Sequence, residues 1–594
     1  MNDPNLGAAV ATPLETTTLG AVLSVRGSEA CVSLPAPALS DQLRPTVGSF
    51  LAIAAGRRRL IGVVTEVASD EAGDERRKSG AVARVDLMGE IKSDDHGVER
   101  FSRGVSGYPA IGDPARIIGR DELRLAYRAS GARAINIGAL HSDETIAACV
   151  DSDNLLSKHF AVLGSTGVGK SSGVAVILNE ILDVRPELRI FLLDGHNEYG
   201  RCFGPRANVV SAGELKLPFW LFNFEELVDA IYYGRPGVEE ELDILAEQIP
   251  IAKGLYQVHR APADRPTARR IDPRNAGYTV DTPVPYMIQD LVALIDERMG
   301  KLENRASRLH HNRLLTRIDA LRNDARYAFM FENANVGGDT MAEILTYLFR
   351  LAPTGQPMTV LQLAGLPVEA VDAVVSVLCR LAFDFGLWSD GAAPMLFVCE
   401  EAHRYAPADR AAGFGPTRRA LLRIAKEGRK YGVCLGLVTQ RPAELDPTII
   451  SQCSTLFAMR MANDRDQALL RSAVTDAAAN LLAFVPSLGT QELIGFGEGF
   501  PLPTRLTFRS LAADRIPRSE AFPSTDAPGE FGDERAFVRA VVERWRGATG
   551  PKPSAIEAAA CENDGAAKVA AVEPAVAAPV ASRIEQIRAQ LLKR

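Results

Sequence analysis

The feature that most limits what this chain can fold into is the octapeptide GSTGVGKS at residues 164–171. It fits the phosphate-binding pattern GxxxxGK[ST], and its flanks are those the pattern needs. KHFAVLG (158–164) is a short apolar run ending in glycine, SSGVAVILNEILDV (171–184) has helical periodicity, and LRIFLLDG (188–195) is a second buried run. A strand, a helix and a strand in so short a stretch form a βαβ unit, which requires a parallel sheet. Gly164, Gly167 and Gly169 let the backbone wrap a phosphate chain without Cβ clashes. The amides of the helix N-terminus then face the anion. Lys170 is placed to reach the β- and γ-phosphates and the Ser171 hydroxyl to take one Mg²⁺ position. Ser165, Thr166, Val168 and Ser172 complete the binding stretch, and the expected ligands are ATP and Mg²⁺.

Hydrolysis needs more than a phosphate cradle. PMLFVCEEAH (394–403) supplies an apolar strand from whose C-terminal end Glu400 and Glu401 emerge. In open α/β sheets ligands bind at that edge. Glu400 is placed to hold the Mg²⁺ shell and Glu401 to polarise the attacking water. VCLGLVTQRP (433–442) is a further strand, and Gln440 at its end is placed to sense the γ-phosphate. Between these strands, the helix PTRRALLRIAKEGRKY (416–431) carries Arg419, Arg423, Lys426 and Lys430 on one stripe, with Arg429 beside them as a candidate phosphate ligand.

Around this core the texture changes twice. From about 14 to 122, short apolar runs broken by turn residues read as an all-β domain, a small barrel, with the polar segment 70–79 as an exposed hairpin tip. Residues 123–153 read as a linker, 154–215 and 331–515 as the α/β core, and 216–330 as a helical insertion. Residues 1–13 are expected to be a flexible N-terminus. The stretch 516–594 reads as a C-terminal extension, rich in Ala, Pro and Val over 566–581 and ending in a short amphipathic helix at 583–594.

Composition excludes several classes. No apolar run is long enough to cross a bilayer, and the first residues do not resemble a signal peptide. Eight scattered cysteines with no CxxC pair suggest neither zinc nor a disulfide framework, which fits a reducing cytoplasm. The net charge of −7 lends nucleic acid no support by itself, although a ring can confine basic residues to its channel.

Taken together, KHFAVLGSTGVGKSS (158–172), LLDGHNEYG (192–200), LKLPFWLFNFEEL (215–227), CEEAHRY (399–405), IAKEGRKYG (424–432) and VTQRPAEL (438–445) resemble the HerA branch of the HerA/FtsK superfamily of P-loop ATPases. The resemblance implies a RecA-like P-loop NTPase core with an N-terminal β-barrel domain and a helical insertion. It also implies a homo-hexameric ring around double-stranded DNA, with ATP sites shared between subunits. Lys170, Ser171, Glu401 and Gln440 match the family's motif positions. Asp194 matches an acidic position that supports the site, while His196 and Glu198 beside it read as structural. Glu400 stands where many relatives have Asp. Lys158 stands where many have an Arg that reaches the neighbouring subunit's nucleotide, keeping the charge but losing the forked geometry. The trans-acting cation is therefore Lys158 or an Arg of the 418–429 helix. Relatives work with a NurA-like nuclease in DNA repair, or with a sirtuin-like or nuclease effector in antiphage defence. The competing reading is a nucleotide-gated ring scaffold that activates a partner enzyme and translocates little DNA.

Overall fold

A computed structural model describes residues 18–34, 45–69, 81–94, 96–128, 133–260, 276–332, 334, 338–352, 355–366, 368–410, 412–474, 480–517, 538, 539 and 542. The hairpin tip expected at 70–79, the N-terminal stretch 1–13 and the terminal helix expected at 583–594 lie outside these residues. Among the described residues, no helix is long and apolar enough to cross a membrane.

Seven strands form the first domain: β1 (Gly20–Arg26), β2 (Glu29–Leu34), β3 (Phe50–Ala55), β4 (Arg58–Ser69), β5 (Ala81–Ser93), β6 (Glu99–Arg103) and β7 (Pro114–Ile117). They are ordered β2-β1-β7-β3-β4-β5-β6, and a further β2–β5 pairing closes six of them into a barrel. Closure leaves those six without an open edge. Alternation along β2, with every second residue buried, turns Ala30, Val32 and Leu34 inward. They meet Val22, Leu51, Leu60 and Val85 in the barrel interior.

The second sheet has eleven strands: β8 (Ala134–Leu140), β9 (Ala147–Asp151), β10 (His159–Leu163), β11 (Arg189–Asp194), β12 (Ala207–Val210), β13 (Met358–Gln362), β14 (Met395–Glu400), β15 (Val433–Thr439), β16 (Cys453–Met459), β17 (Glu492–Gly497) and β18 (Thr504–Phe508). Their order is β12-β13-β11-β14-β15-β10-β16-β17-β18-β8-β9. From β13 to β16 the pairings are parallel, and from β16 to β9 antiparallel. Every residue of β10, β14 and β15 is buried. That is why these strands read as unbroken apolar runs rather than as alternating ones.

One sequence expectation needs correction. Residues 123–153 are not a linker: they hold the end of the helix Arg120–Tyr127 and both β8 and β9, which extend the central sheet through β18. Only some residues of β8 and β9 are buried, so they lack the unbroken apolar runs of the parallel strands. Within the parallel part, β14 and β15 lie between β10 and β11, so the two strands of the βαβ unit are not adjacent.

A separate compact unit takes in residues 210–347 and 363–377 and is helical. Its principal helices are Phe224–Tyr232, Glu239–Arg260, Ile288–Gly300 and Arg305–Asn323. Inside it, Asn223 and Glu226 form a reciprocal N-cap, and Glu226 also accepts the Ser376 hydroxyl at 2.8 Å. Lys253, 1% exposed, donates to the carbonyls of Thr279, Val280 and Thr282 at 3.2, 2.7 and 2.7 Å, pinning that loop to its helix.

Candidate nucleotide site

The loop between β10 and the helix Lys170–Val184 is shaped by its glycines. Gly167 and Gly169 have φ of 77° and 94°, the left-handed region where a Cβ is costly. The Gly164 amide donates to Thr439 and that of Ser165 to Arg460, so the loop is slung between the ends of β15 and β16. Val168 is buried and its carbonyl accepts from the Gln491 amide, closing the far side. Lys170 folds over the loop and donates to the Ser165 carbonyl at 2.8 Å. Desolvation pulls its pKa down, and Glu401, Glu400 and Glu198 oppose that shift. Ser172 follows on the first turn of the helix and is half-buried.

The parallel strands bring the carboxylates to the same edge. Glu400 ends β14, and Glu401 stands in the left-handed region at φ 51°. For a residue with a Cβ that backbone is unfavourable by roughly 1–2 kcal/mol, and such positions cluster at functional sites. Glu400 is 4% exposed, and one of its oxygens accepts the Gly195 amide at 3.1 Å. Burial, with Asp194, Glu198 and Glu401 close by, pushes its pKa well above the usual carboxylate range. Glu401 is 7% exposed. His403 Nδ1 lies 3.2 Å from Glu401 Oε2, but without hydrogen-bond geometry, so this buried oxygen has no partner. His403 Nδ1 instead pairs with the Thr439 hydroxyl at 3.0 Å. Burial lowers the His403 pKa, and the Glu401 charge opposes that shift.

Gln440, just past β15, accepts the Thr166 hydroxyl and so touches the phosphate loop directly. The carboxylate strand β14 is one strand further out than a simple neighbour of β10, because β15 lies between them. Asp194 caps the turn that follows β11, accepting the amides of Glu198 and Tyr199 at 3.0 and 2.9 Å. Its pKa is raised by burial. His196 is exposed. Glu198 is not only structural: its carboxylate accepts the Ser171 hydroxyl at 2.6 Å.

This donor set fits a nucleotide with its Mg²⁺. A hydroxyl and several carboxylates gather near Lys170, burial and the neighbouring acids push the Glu400 pKa up, and Glu401 keeps a buried oxygen without a hydrogen-bond partner. Mg²⁺ favours oxygen ligands, needs few of them from protein and takes the rest from water and phosphate.

Lys158 and Arg429 lie elsewhere. Lys158 precedes β10 and Arg429 precedes β15, whereas the phosphate loop and Gln440 follow those strands. At about 3.3 Å per residue the two cations stand roughly 16–20 Å from their own chain's phosphate loop. They do not meet the nucleotide held by the same chain. With Lys426, Lys430 and Glu498 they line a hollow of about 440 Å³. Lys158 pairs with Glu498 at 2.5 Å. Of the expected basic stripe, Arg423 reaches Asp384 and stacks on Phe383; Arg418, outside that stripe, reaches Asp446.

Sequence reading does not foresee the His403–Thr439 pair or the contact of Glu198 with Ser171. His403 and Glu198 stand inside the quoted motifs, but nothing in their spacing says which atom each one touches. Thr439, as the last residue of a buried strand, carried no signal.

Residues 135–382 match the family described as "Helicase HerA, central domain". The DNA double-strand break repair helicase HerA of Pyrococcus furiosus is 26% identical over 474 residues, covering 72% of this chain and 76% of that protein. Among solved structures, VirB4 of Thermoanaerobacter pseudethanolicus aligns at 13% identity over 65% of this chain and 99% of its own, with a TM-score of 0.43. The plasmid coupling protein TrwB, solved with ADP and Mg²⁺, aligns at 14% identity over 68% and 94%, with a TM-score of 0.41.

Proposed function

We propose, from the match of residues 135–382 to the HerA helicase central domain, that the protein is an ATP-hydrolysing, hexameric translocase of double-stranded DNA. The observation that carries this reading is Glu401. It is a buried carboxylate with an unpaired oxygen, turned by a left-handed backbone onto the edge where Lys170 stands. A carboxylate so placed can orient a water and take its proton as the γ-phosphate is attacked. Lys170 and the loop amides hold the phosphates, while Ser171 and Glu400 are the side chains that would hold Mg²⁺. The ion, when bound, would neutralise phosphate charge. Gln440 and Thr166, joined to each other, link the γ-phosphate position to β15.

Sharing of sites between copies is supported by the two cations that cannot serve their own chain. Lys158 and Arg429 sit at the amino edge of the sheet, and a head-to-tail ring would bring that edge against the neighbour's acidic edge. Lys158 is already paired with Glu498, so Arg429 is the better trans-acting group. Its fork suits a phosphate oxygen pair. Double-stranded DNA is the proposed substrate, and a nuclease or defence effector the proposed partner.

The test is the steady-state ATPase rate with and without linear double-stranded DNA, with Glu401→Gln as control. Several-fold stimulation that weakens as salt rises supports the motor, since phosphate contacts release counter-ions. A Glu401-dependent rate indifferent to DNA would overturn it in favour of a nucleotide-gated scaffold.

A further inference from the structure

We infer that Glu198 is the residue that prepares the Ser171 hydroxyl to receive the metal of the nucleotide, a positioning role that spacing alone does not reveal. The inference rests on the nucleotide-hydrolysing reading above and adds a residue to it.

A serine hydroxyl has one proton and two lone pairs. Left free it rotates, and in some orientations its proton faces the cleft and repels a cation. In this protein the proton is committed, because Ser171 Oγ donates to Glu198 Oε2 at 2.6 Å. That is a short, charge-assisted bond. With the proton directed at Glu198, the lone pairs are left for the cleft. Glu400, the carboxylate that the motif spacing favours for this site, is held instead by the Gly195 amide at 3.1 Å.

Glu198 is itself fixed. Its amide and that of Tyr199 are both held by Asp194, and Asn197 before it adopts φ 59° to make the turn. The sequence Asp194 to Tyr199 is thus a rigid bracket on the end of β11 that delivers one carboxylate to the first turn of the phosphate-loop helix. A second observation marks the same wall. Tyr199 is 0% exposed, and its hydroxyl lies beside Ser171 and Glu400. That buried hydroxyl borders the space where the metal and its waters would stand.

The opposite role is also chemically conceivable: Glu198 could compete with the metal for Ser171 and act as a plug. The two roles predict opposite signs. The experiment measures binding of a fluorescent ADP analogue to the full chain, first in EDTA and then as Mg²⁺ is titrated in. For Glu198→Ala, the Mg²⁺ concentration at half-effect should rise roughly 10–100-fold, as when other residues that orient metal ligands are removed, with affinity in EDTA unchanged. Glu198→Gln keeps an acceptor oxygen and should restore most of the Mg²⁺ response. Glu198→Asp keeps the charge but is too short to reach Ser171, and should behave like the alanine variant even if that variant folds poorly. In Ser171→Ala, removing Glu198 as well should add little further loss. An unchanged or lowered Mg²⁺ requirement in Glu198→Ala and Glu198→Asp would overturn the inference while leaving the ATPase reading intact. A wild-type chain that binds no nucleotide with or without Mg²⁺ would overturn both.

Discussion

The two edges of the central sheet are built from the same strands and do opposite things. The carboxyl edge, where β10, β14 and β15 end, collects Glu400, Glu401 and the phosphate loop, with Lys170 as the cation among them. The amino edge, where those strands begin, collects Lys158, Lys426, Arg429 and Lys430 around one hollow, with Glu498 on its rim. Neither edge is balanced within one chain. A strand of five to seven residues separates them by about 20 Å, so the surplus charges of one edge do not relieve the other. On the proposed function, the surplus acids of one edge suit a nucleotide and its metal, and the surplus cations of the other suit a neighbouring copy's phosphate.

Removing the cation of the carboxyl edge should be the change that costs nucleotide binding itself. Lys170→Ala should weaken ATP binding by about two orders of magnitude, since charged hydrogen bonds contribute about 1.5–3 kcal/mol each. Equilibrium binding of a fluorescent nucleotide reads this directly, and normal affinity would remove the phosphate-loop assignment. Glu401→Gln keeps shape and loses the base. It should bind ATP normally and turn over about 10²–10⁴-fold more slowly, as a single-turnover assay would report.

The amino edge should behave differently. Arg429→Ala should reduce turnover about 10³-fold if it acts as a trans-acting arginine, with nucleotide affinity unchanged. Lys158→Ala, which breaks only the pair with Glu498 on this reading, should cost far less. Rings mixed from wild-type and Arg429→Ala chains should lose activity faster than their composition. A loss strictly proportional to composition would return each site to a single chain and dissolve the contrast between the edges.

The last effect is on stability rather than turnover and concerns what holds the amino edge together. His159, 2% exposed, takes the Leu435 amide on Nδ1 at 2.9 Å and makes a 2.9 Å bond from Nε2 to the Ala425 carbonyl. The first contact makes Nδ1 an acceptor, so Nε2 carries the proton and the ring is neutral. Burial, together with nearby Arg429, lowers its pKa to about 4, against the pull of the Ala425 carbonyl. The unfolded chain binds this proton below about pH 6.5 and the folded one only near 4, so stability is lost as pH falls through that window. The full contribution is about 3 kcal/mol. His159→Gln should flatten the slope of unfolding free energy between pH 6.5 and 4, followed by urea titration at several pH values. An unchanged slope would mean that His159 is not the group that titrates.

Much of the site was legible before any coordinates. The phosphate loop and the Glu400–Glu401 pair are local features, where a few consecutive residues specify both a backbone shape and a chemistry. The fully buried strands β10, β14 and β15 were equally plain, because burial on both faces leaves an unbroken apolar run. Strands β8 and β9 were missed for the opposite reason. At the sheet's antiparallel end only some of their residues are covered, and half-covered strands broken by polar residues resemble linker. Glu198 was read as structural because its partner Ser171 lies 27 positions away in the chain, beyond the reach of any local pattern.

What the sequence by itself determined is therefore the set of local structures and their chemistry: a glycine-rich turn that must cradle phosphate, strands that must be buried, and acids that must emerge at a strand end. Only the tertiary structure decided strand order, and with it every long-range pairing. It set β15 between the loop and the carboxylates, sent Lys158 and Arg429 to the far edge, and brought Glu198 onto Ser171. The physical reason is that a parallel strand's apolar pattern is satisfied at almost any interior place in the sheet. The places are set by how helices and crossovers pack together, which is a property of the whole fold and not of any one segment.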